Sequence, residues 1–347
     1  MRLWYDAINW MNRDWSDRTQ RCLFPKPDEA LERGKLTRLD MINLAQIEQW
    51  IDEVLALNST GRSTGTLPSY IPELARVNPQ QLSIHIQCLD GTGGSWGTPD
   101  RSLPFMSAIK PFILLYVLEQ FGIVEVEKMV GTLPSKMPYN SLEQLEIDEG
   151  FPRNPMINSG AIALCSALPG DSAIQKCDRF LEWLNRYGDV RLILDRQLLA
   201  SVESLPNLRN QALTQKLAES GYLRSSETIA LDTYQQVCCL SGTLAELSQL
   251  GLGLVALQGR VNPAHQERVL QLIKTCGLYE YSEQFAIEIG LPTKSGVSGV
   301  LLALVPEWGA IAIYSPLLDP TGNSVMGLAL LRRMVRDSKP FLFSGES

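Results

Sequence analysis

The sequence predicts an α+β protein in which an antiparallel sheet, covered by helices, carries an inserted all-helical lobe. Three observations lead there. Leu82, Ile84 and Ile86 alternate with Ser83, His85 and Gln87, the period-two pattern of a half-buried strand. Near the other end, Gly299 to Val305 and Ala310 to Tyr314 flank the turn Pro306-Glu307-Trp308-Gly309, which makes a hairpin. Between them, from about Glu125 to Arg260, the chain reads largely helical, with breakers at Pro134, Pro138, Pro152, Pro155, Pro169, Gly188, Pro206 and Gly221. Hairpin strands run antiparallel, and helices from both termini can cover their sheet. The expected division is an N-terminal extension over 1–34, an α/β core from 35–110 and 275–340, and a helical lobe over 111–274.

In chain order, the extension interleaves Trp4, Trp10 and Trp15 with charges and holds Pro25 and Pro27, so it reads as irregular or helical. From Thr37 to Leu57 the apolar positions Met41, Leu44, Ile47, Ile51, Val54 and Leu55 recur at helical spacing. Pro68 and Pro72 then hold Tyr70 in an extended or turn segment. Asp90-Gly91 is a turn signal, and a short strand around Ser95-Trp96-Gly97 completes a first hairpin. The closing helix, Ser324 to about Arg336, follows the turn Asp319-Pro320-Thr321-Gly322-Asn323.

With 347 residues, 45% hydrophobic and 20% charged, the chain has the make-up of an ordinary globular protein with a large core. Its formal charge of -7 supplies no basic excess to neutralise phosphates, which excludes nucleic acid and anionic membrane as partners. Asp6, Arg13, Asp14 and Asp17 break the opening segment, so it lacks a signal peptide's apolar core, and no stretch is expected to reach the length of a membrane span. The seven cysteines are odd in number and set in apolar surroundings, as in Ala163-Leu164-Cys165, and read as reduced core thiols of a cytoplasmic protein. Two histidines, His85 and His265, leave no zinc-ligand set and almost no room for a Ser-His-Asp triad, so neither metal nor cofactor is expected.

The stretch that carries chemistry is Phe105-Met106-Ser107-Ala108-Ile109-Lys110, followed by the apolar run Phe112 to Leu118. Side chains three apart on a helix share a face, so the Lys110 amine can reach the Ser107 hydroxyl. A lysine kept neutral by desolvation activates a serine, and the apolar flank supplies the desolvation. The first amides of a helix also favour developing negative charge. Ser107 is the only serine of the chain with a lysine three residues later. It lies where the first strands hand over to the helical block, at the cleft between the two lobes.

Other polar groups have plain readings when taken singly. Asn158, after Pro155-Met156-Ile157, reads as a helix N-cap; Glu203 with Arg209 and Asn210 as a solvated helix face; Tyr234 as a core aromatic. Lys294-Ser295-Gly296-Val297, at a strand edge, matches the partner that Ser-x-x-Lys hydrolases set beside their nucleophile. Together with Tyr70-Ile71-Pro72-Glu73-Leu74, Val130-Gly131, Asn154-Pro155-Met156-Ile157-Asn158-Ser159-Gly160-Ala161, Arg209-Asn210, Gly290 to Val297, Ser315-Pro316-Leu317-Leu318-Asp319 and Gly322-Asn323-Ser324, the chain resembles the serine-dependent glutaminases from about Gly65 to Leu331.

That resemblance implies a β-lactamase-like fold, hydrolysis of L-glutamine to L-glutamate and ammonia, and an acyl-enzyme on Ser107 activated by Lys110. It places Tyr70 and Tyr279 against the nucleophile. It gives Asn158, Glu203, Asn210 and Tyr234 to the amino-acid end of the substrate, and the amides of Ser107 and Val297 to the oxyanion. It also implies a homodimer or homotetramer. An acid matched to the α-ammonium and neutral donors for the α-carboxylate suit such a substrate. Two other readings stand beside it: a Ser-x-x-Lys hydrolase of another amide or ester, and a glutamine-binding protein with little turnover. The chain departs from the family pattern at Met106, where a Gln usually precedes the nucleophile, at Ile109, where a second Ser is usual, and at Pro111. Pro111 lacks the N–H that would meet the Ser107 carbonyl in a helix begun at Ser107.

Overall fold

The computed structural model describes residues 44–59, 65–97, 101–256 and 261–342; the extension read over 1–34 lies outside them. Helix α1, Leu44–Ser59, buries Ile47, Trp50, Ile51 and Val54 on one stripe. Strand β1, Ser83–Cys88, turns through Gly91 (φ 84°) into β2, Gly93–Trp96, with Ile84 opposite Trp96 and Gln87 opposite Gly93. Strand β3 is Leu103–Pro104, and a 3-10 turn over Met106–Ile109 leads into helix α2, Lys110–Val126.

The helical block follows: α3 Leu142–Ile147, α4 Asn158–Ser166, α5 Ala173–Gly188, strand β4 Ile193–Leu194, α6 Arg196–Glu203, α7 Leu208–Glu219 and α8 Glu227–Cys238. Strand β5, Leu240–Gly242, and helices α9, Leu244–Val255, and α10, Pro263–Cys276, close it. A 3-10 turn at Tyr279–Tyr281 and α11, Ser282–Glu288, lead to β6 Thr293–Ser295, β7 Val300–Val305, β8 Gly309–Tyr314 and α12 Val325–Leu342.

The main sheet is antiparallel with strand order β2-β1-β8-β7-β6. Period-two alternation splits β7 between two cores. Leu301, Ala303 and Val305 join Ile47, Trp50, Met326 and Leu330 under the terminal helices, whereas Val300, Leu302 and Leu304 join the apolar side chains of the helical block. Helix α9 lies close on the second face, because Gly251 leaves room: a Cβ there would sit 2.9 Å from Ala310 Cβ.

Two findings depart from the sequence reading. A small second sheet, β3-β5-β4, crosses the stretch read as helical, and its strands of two or three residues are too short for a periodic signal. Met106–Val126 is also long and apolar enough by composition to cross a membrane, contrary to the expectation that no stretch would be. It is instead a core helix: Lys110 through Leu118 are all buried, and non-helical dihedrals at Gly122 (φ 76°) break it. The cysteines at 88, 165, 177, 238, 239 and 276 are buried thiols outside any disulfide.

Candidate active site

Strand pairing sets the position of Ser107. Phe105 N–H donates to Leu240 O at 3.0 Å, which ties the approach to the start of β5. Met106, at φ 48°, then turns the chain sharply into the 3-10 turn that holds Ser107. Here the structure answers the question raised by Pro111. The Lys110 N–H takes the Ser107 carbonyl, and Pro111 falls in the first turn of α2, where its missing donor would have had no partner.

Lys110 is fully buried. Its Nζ donates to Met156 O at 3.2 Å and Asn158 Oδ1 at 2.8 Å, and lies 5.7 Å from the Tyr234 ring centroid. Burial pushes its pKa down to about 8, with the Cys238 and Cys165 thiols opposing. Neither of its hydrogen bonds goes to Ser107. The Ser107 side chain lies instead within reach of the Tyr279 hydroxyl, whose pKa it lowers.

Asn158 is the hub of the site, not a cap. Ile157 occupies the N-cap of α4, and Asn158 turns its side chain into the interior. Its Oδ1 accepts from Lys110 Nζ and from the Tyr234 hydroxyl at 3.0 Å, while its Nδ2 donates to Asn210 Oδ1 at 2.9 Å. Asn154 shapes the preceding turn, its Oδ1 accepting from Met156 N–H at 3.0 Å and Ile157 N–H at 3.2 Å. Asn210 follows the Asn207 cap of α7, so the Arg209-Asn210 pair splits: Arg209 reaches out to Asn140, Asn210 in to Asn158.

Tyr279 closes the other side. At φ 58°, it is buried with its hydroxyl donating to Ser295 O at 3.3 Å. Burial raises its pKa above the ordinary phenol value, opposed by the Ser107 hydroxyl beside it. Lys294, fully buried on edge strand β6, puts Nζ 2.7 Å from Ser295 O and 4.2 Å from the Tyr279 ring centroid. Burial, and then the nearby Lys110, hold the Lys294 amine well below its usual pKa. Gly296 lets the loop carrying Val297 settle on the nucleophile turn, since a Cβ there would stand 2.4 Å from Phe105 O.

Tyr70 and Glu203 lie further out. Tyr70, 53% exposed, bonds Tyr139 (hydroxyls 3.3 Å apart) while Tyr139 packs on Tyr279 with centroids 4.6 Å apart. Glu203 is exposed at the end of α6, without a hydrogen bond to any other residue of this set. That helix is tethered to the Tyr70 segment by Glu73 N–H donating to Ser201 Oγ at 3.1 Å. The sequence reading missed Tyr139 and the Met156 carbonyl, which enter the site through Tyr279 and Lys110 and left no signal of their own.

The family model described as Glutaminase matches residues 65–343. The chain belongs to the glutaminase family. The glutaminase of Synechocystis sp. is 44% identical over 311 residues, 88% of this chain and 92% of that protein. Glutaminase 2 of Escherichia coli K12 is 34% identical over 280 residues, 78% of this chain and 90% of its own. Among solved structures, the probable glutaminase from Bacillus subtilis complexed with 6-diazo-5-oxo-L-norleucine superposes with a TM-score of 0.77 at 28% identity, covering 85% of this chain and 95% of that one. A covalent complex of the Bacillus subtilis glutaminase with 5-oxo-L-norleucine gives 0.76 at 28% identity, covering 85% and 98%. The antiparallel sheet and the helices packed on it are the β-lactamase-like architecture of these glutaminases.

Proposed function

We propose that this glutaminase converts L-glutamine to L-glutamate and ammonia through an acyl-enzyme on Ser107, with Lys110 as the base. The observation that carries the reading is the way Lys110 spends its protons. A neutral amine has two N–H groups and one lone pair. Met156 O and Asn158 Oδ1 take both N–H groups, so the lone pair is left for a proton from the nucleophile one turn away. The depressed pKa keeps a neutral fraction available near physiological pH.

In the first step the Ser107 hydroxyl proton passes to Lys110 as Oγ bonds to the substrate amide carbon. The carbonyl electron pair moves onto oxygen, held by the amides of Ser107 and Val297. Collapse restores the carbonyl and breaks the carbon–nitrogen bond, and the leaving nitrogen takes the proton by way of Tyr279. Water then adds with the same base, and glutamate departs. Asn158, Asn210 and Tyr234 hold the amino-acid end, with Glu203 approaching the α-ammonium from the rim. The covalent complex of the Bacillus subtilis relative supports a nucleophile seated beside this carbon: 5-oxo-L-norleucine keeps its ketone where glutamine carries its amide carbonyl, and loss of dinitrogen from the 6-diazo compound puts the new bond on the adjacent C6.

The reading extends to a reducing, cytoplasmic setting, supported by the buried thiols, and to self-association as a homodimer or homotetramer, which light scattering checks. Ammonia release from glutamine, asparagine and a chromogenic ester by purified protein tests the function. Glutamine turnover that disappears in both Ser107→Ala and Lys110→Ala is the expected result, because the two act as one unit. Ester turnover without glutamine turnover, or tight glutamine binding without ammonia, overturns it.

A further inference from the structure

We infer that Asn323 is a positioning residue of this site: it holds the Leu278 carbonyl, keeps Tyr279 in its left-handed conformation, and so sets the phenol that donates to Ser295 O. The need for such a hold follows from the backbone. Tyr279 has φ 58°, a conformation that a bulky side chain adopts only where its surroundings fix it. Within its own turn, Ser282 Oγ donates to Tyr279 O at 2.7 Å and accepts from Leu278 N–H at 3.0 Å, and Tyr281 N–H donates to Leu278 O at 3.1 Å. Those partners belong to the turn and move with it. Asn323 comes from a segment 45 residues away, and its Nδ2 donates to Leu278 O at 3.2 Å. Leu278 O is the oxygen of the peptide that joins Leu278 to Tyr279, so holding it restrains the rotation that would carry Tyr279 back to negative φ.

The holder is itself held. The Leu278 carbonyl and the Asp319 carboxylate can only accept, which fixes the protons between them. Thr321 gives its one hydroxyl proton to Asp319 Oδ1 at 2.7 Å, so its oxygen accepts the second Asn323 Nδ2 proton at 2.8 Å. The same carboxylate oxygen takes Thr321 N–H at 2.9 Å and Asn323 N–H at 3.0 Å, and Asp319 N–H donates to Asn323 O at 2.9 Å, which ties the turn together. Both Nδ2 protons are thus engaged, whereas Asn323 Oδ1 is buried with no hydrogen-bond partner among the described residues. A side chain kept for its shape alone would not carry that cost, so the donors are what the position requires. The turn also reaches the ring it serves: a Cβ on Gly322 (φ 92°) would stand 3.3 Å from Tyr139 Cε1 and 3.7 Å from Tyr279 Cε2.

The inference rests on the reading of Tyr279 as the group that passes a proton to the leaving nitrogen, and a double-mutant cycle separates the two. Tyr279→Phe is measured first and is expected to lower kcat for glutamine by about a hundredfold or more; a kcat within about threefold of wild type rejects that reading, and the inference with it. Asn323→Ala is then expected to lower kcat by about tenfold to a hundredfold through a displaced phenol, with KM within about twofold of wild type. In the Tyr279→Phe background the same substitution should change kcat by less than about twofold, because no hydroxyl is left to position. Equal losses in the two backgrounds leave the reading of Tyr279 standing and overturn the inference, since damage to the fold would lower both alike. Independently of turnover, 3-fluorotyrosine placed at position 279 should show a fluorine resonance that Asn323→Ala moves; an unmoved resonance overturns the inference. If Asn323→Ala does not fold, Thr321→Val takes its place in every arm, because it removes the acceptor of the second Nδ2 proton. Thr321→Ser keeps the hydroxyl and should return kcat and the resonance toward wild type; losses as large as those of Thr321→Val overturn the inference.

Discussion

Asn158 Oδ1 accepts the Lys110 amine at 2.8 Å, a bond between residues 48 apart in the chain that makes the polar centre of the site one connected object. Because the same amide reaches Asn210 and Tyr234, the groups assigned to the substrate and the base assigned to the nucleophile share a single support.

The first prediction follows from the charge on Lys110. Its third proton would occupy the lone pair that has to receive the serine proton, so the protonated form is inactive. With its pKa lowered to about 8 by burial, kcat/KM should rise with pH through that value and level off above it. Steady-state ammonia release across pH measures this. Activity that falls between neutral pH and pH 8 would exclude Lys110 as the base.

Asn158→Asp tests the hub electrostatically. A carboxylate in hydrogen-bond reach of the amine favours the ammonium, so the Lys110 pKa rises and turnover at neutral pH collapses. An interaction of about 4 kcal/mol for a partly screened pair corresponds to about three pH units on the acid limb. Part of the activity should therefore return in alkaline buffer, while the melting temperature changes little. An acid limb left in place would mean that Asn158 does not govern the base.

The chain shows both the reach and the limit of reading such a site from residues. The strand around 82–86 was legible because apolar residues on its core face alternate with polar ones, the pair over 300–314 because both of its faces are apolar and meet two cores, and the terminal helices because each has one apolar stripe. The Ser107–Lys110 spacing was legible as a helical turn, although the first turn is 3-10 and Met106 bends the backbone to positive φ. Asn158 reads as a cap because Asn at a helix start usually caps; its inward turn shows only once Lys110 and Tyr234, 48 and 76 residues away, are brought to its Oδ1. The β3-β5 pairing joins segments more than 130 residues apart through strands with no period, and Tyr139 enters only through its neighbours Tyr70 and Tyr279.

Gly296→Ala probes the loop that carries the Val297 amide. Its Cβ would meet the backbone oxygen of Phe105 at 2.4 Å, and backbone cannot step aside as a side-chain tip can. The loop should lift from the nucleophile turn and separate the two amides assigned to the oxyanion. Loss of one such donor costs about a hundredfold or more in kcat, with KM moved far less. A kcat within a factor of two of wild type would remove Val297 from the oxyanion site.

Glu203→Gln asks whether an exposed carboxylate at the rim holds the α-ammonium. A charge-assisted contact formed on binding is worth about 1.5–3 kcal/mol, so KM should rise by about tenfold to a hundredfold. The free protein loses nothing, because the side chain makes no bond within the site, and its melting temperature should stay the same. An unchanged KM would assign the ammonium to another group.

Met106→Gln addresses the position where the chain leaves the pattern it otherwise resembles. If a Gln amide there supported substrate or hydroxyl, restoring it would raise kcat/KM by about twofold to tenfold. The structure favours the opposite outcome. Met106 is 6% exposed and packs within the apolar cluster of the helical block, where a flexible thioether fills space that an amide would have to cross unpaired. Burying an unsatisfied amide costs about 1–3 kcal/mol. Met106→Gln should therefore lower the melting temperature and leave kcat/KM no higher than wild type. Met106→Gly serves as the control for strain: it relieves the φ of 48° but empties the packing, so it should lose stability by the cavity alone. A rise in activity with Met106→Gln at unchanged melting temperature would show instead that the pocket accepts the amide, and that its wall still has the shape the family pattern uses.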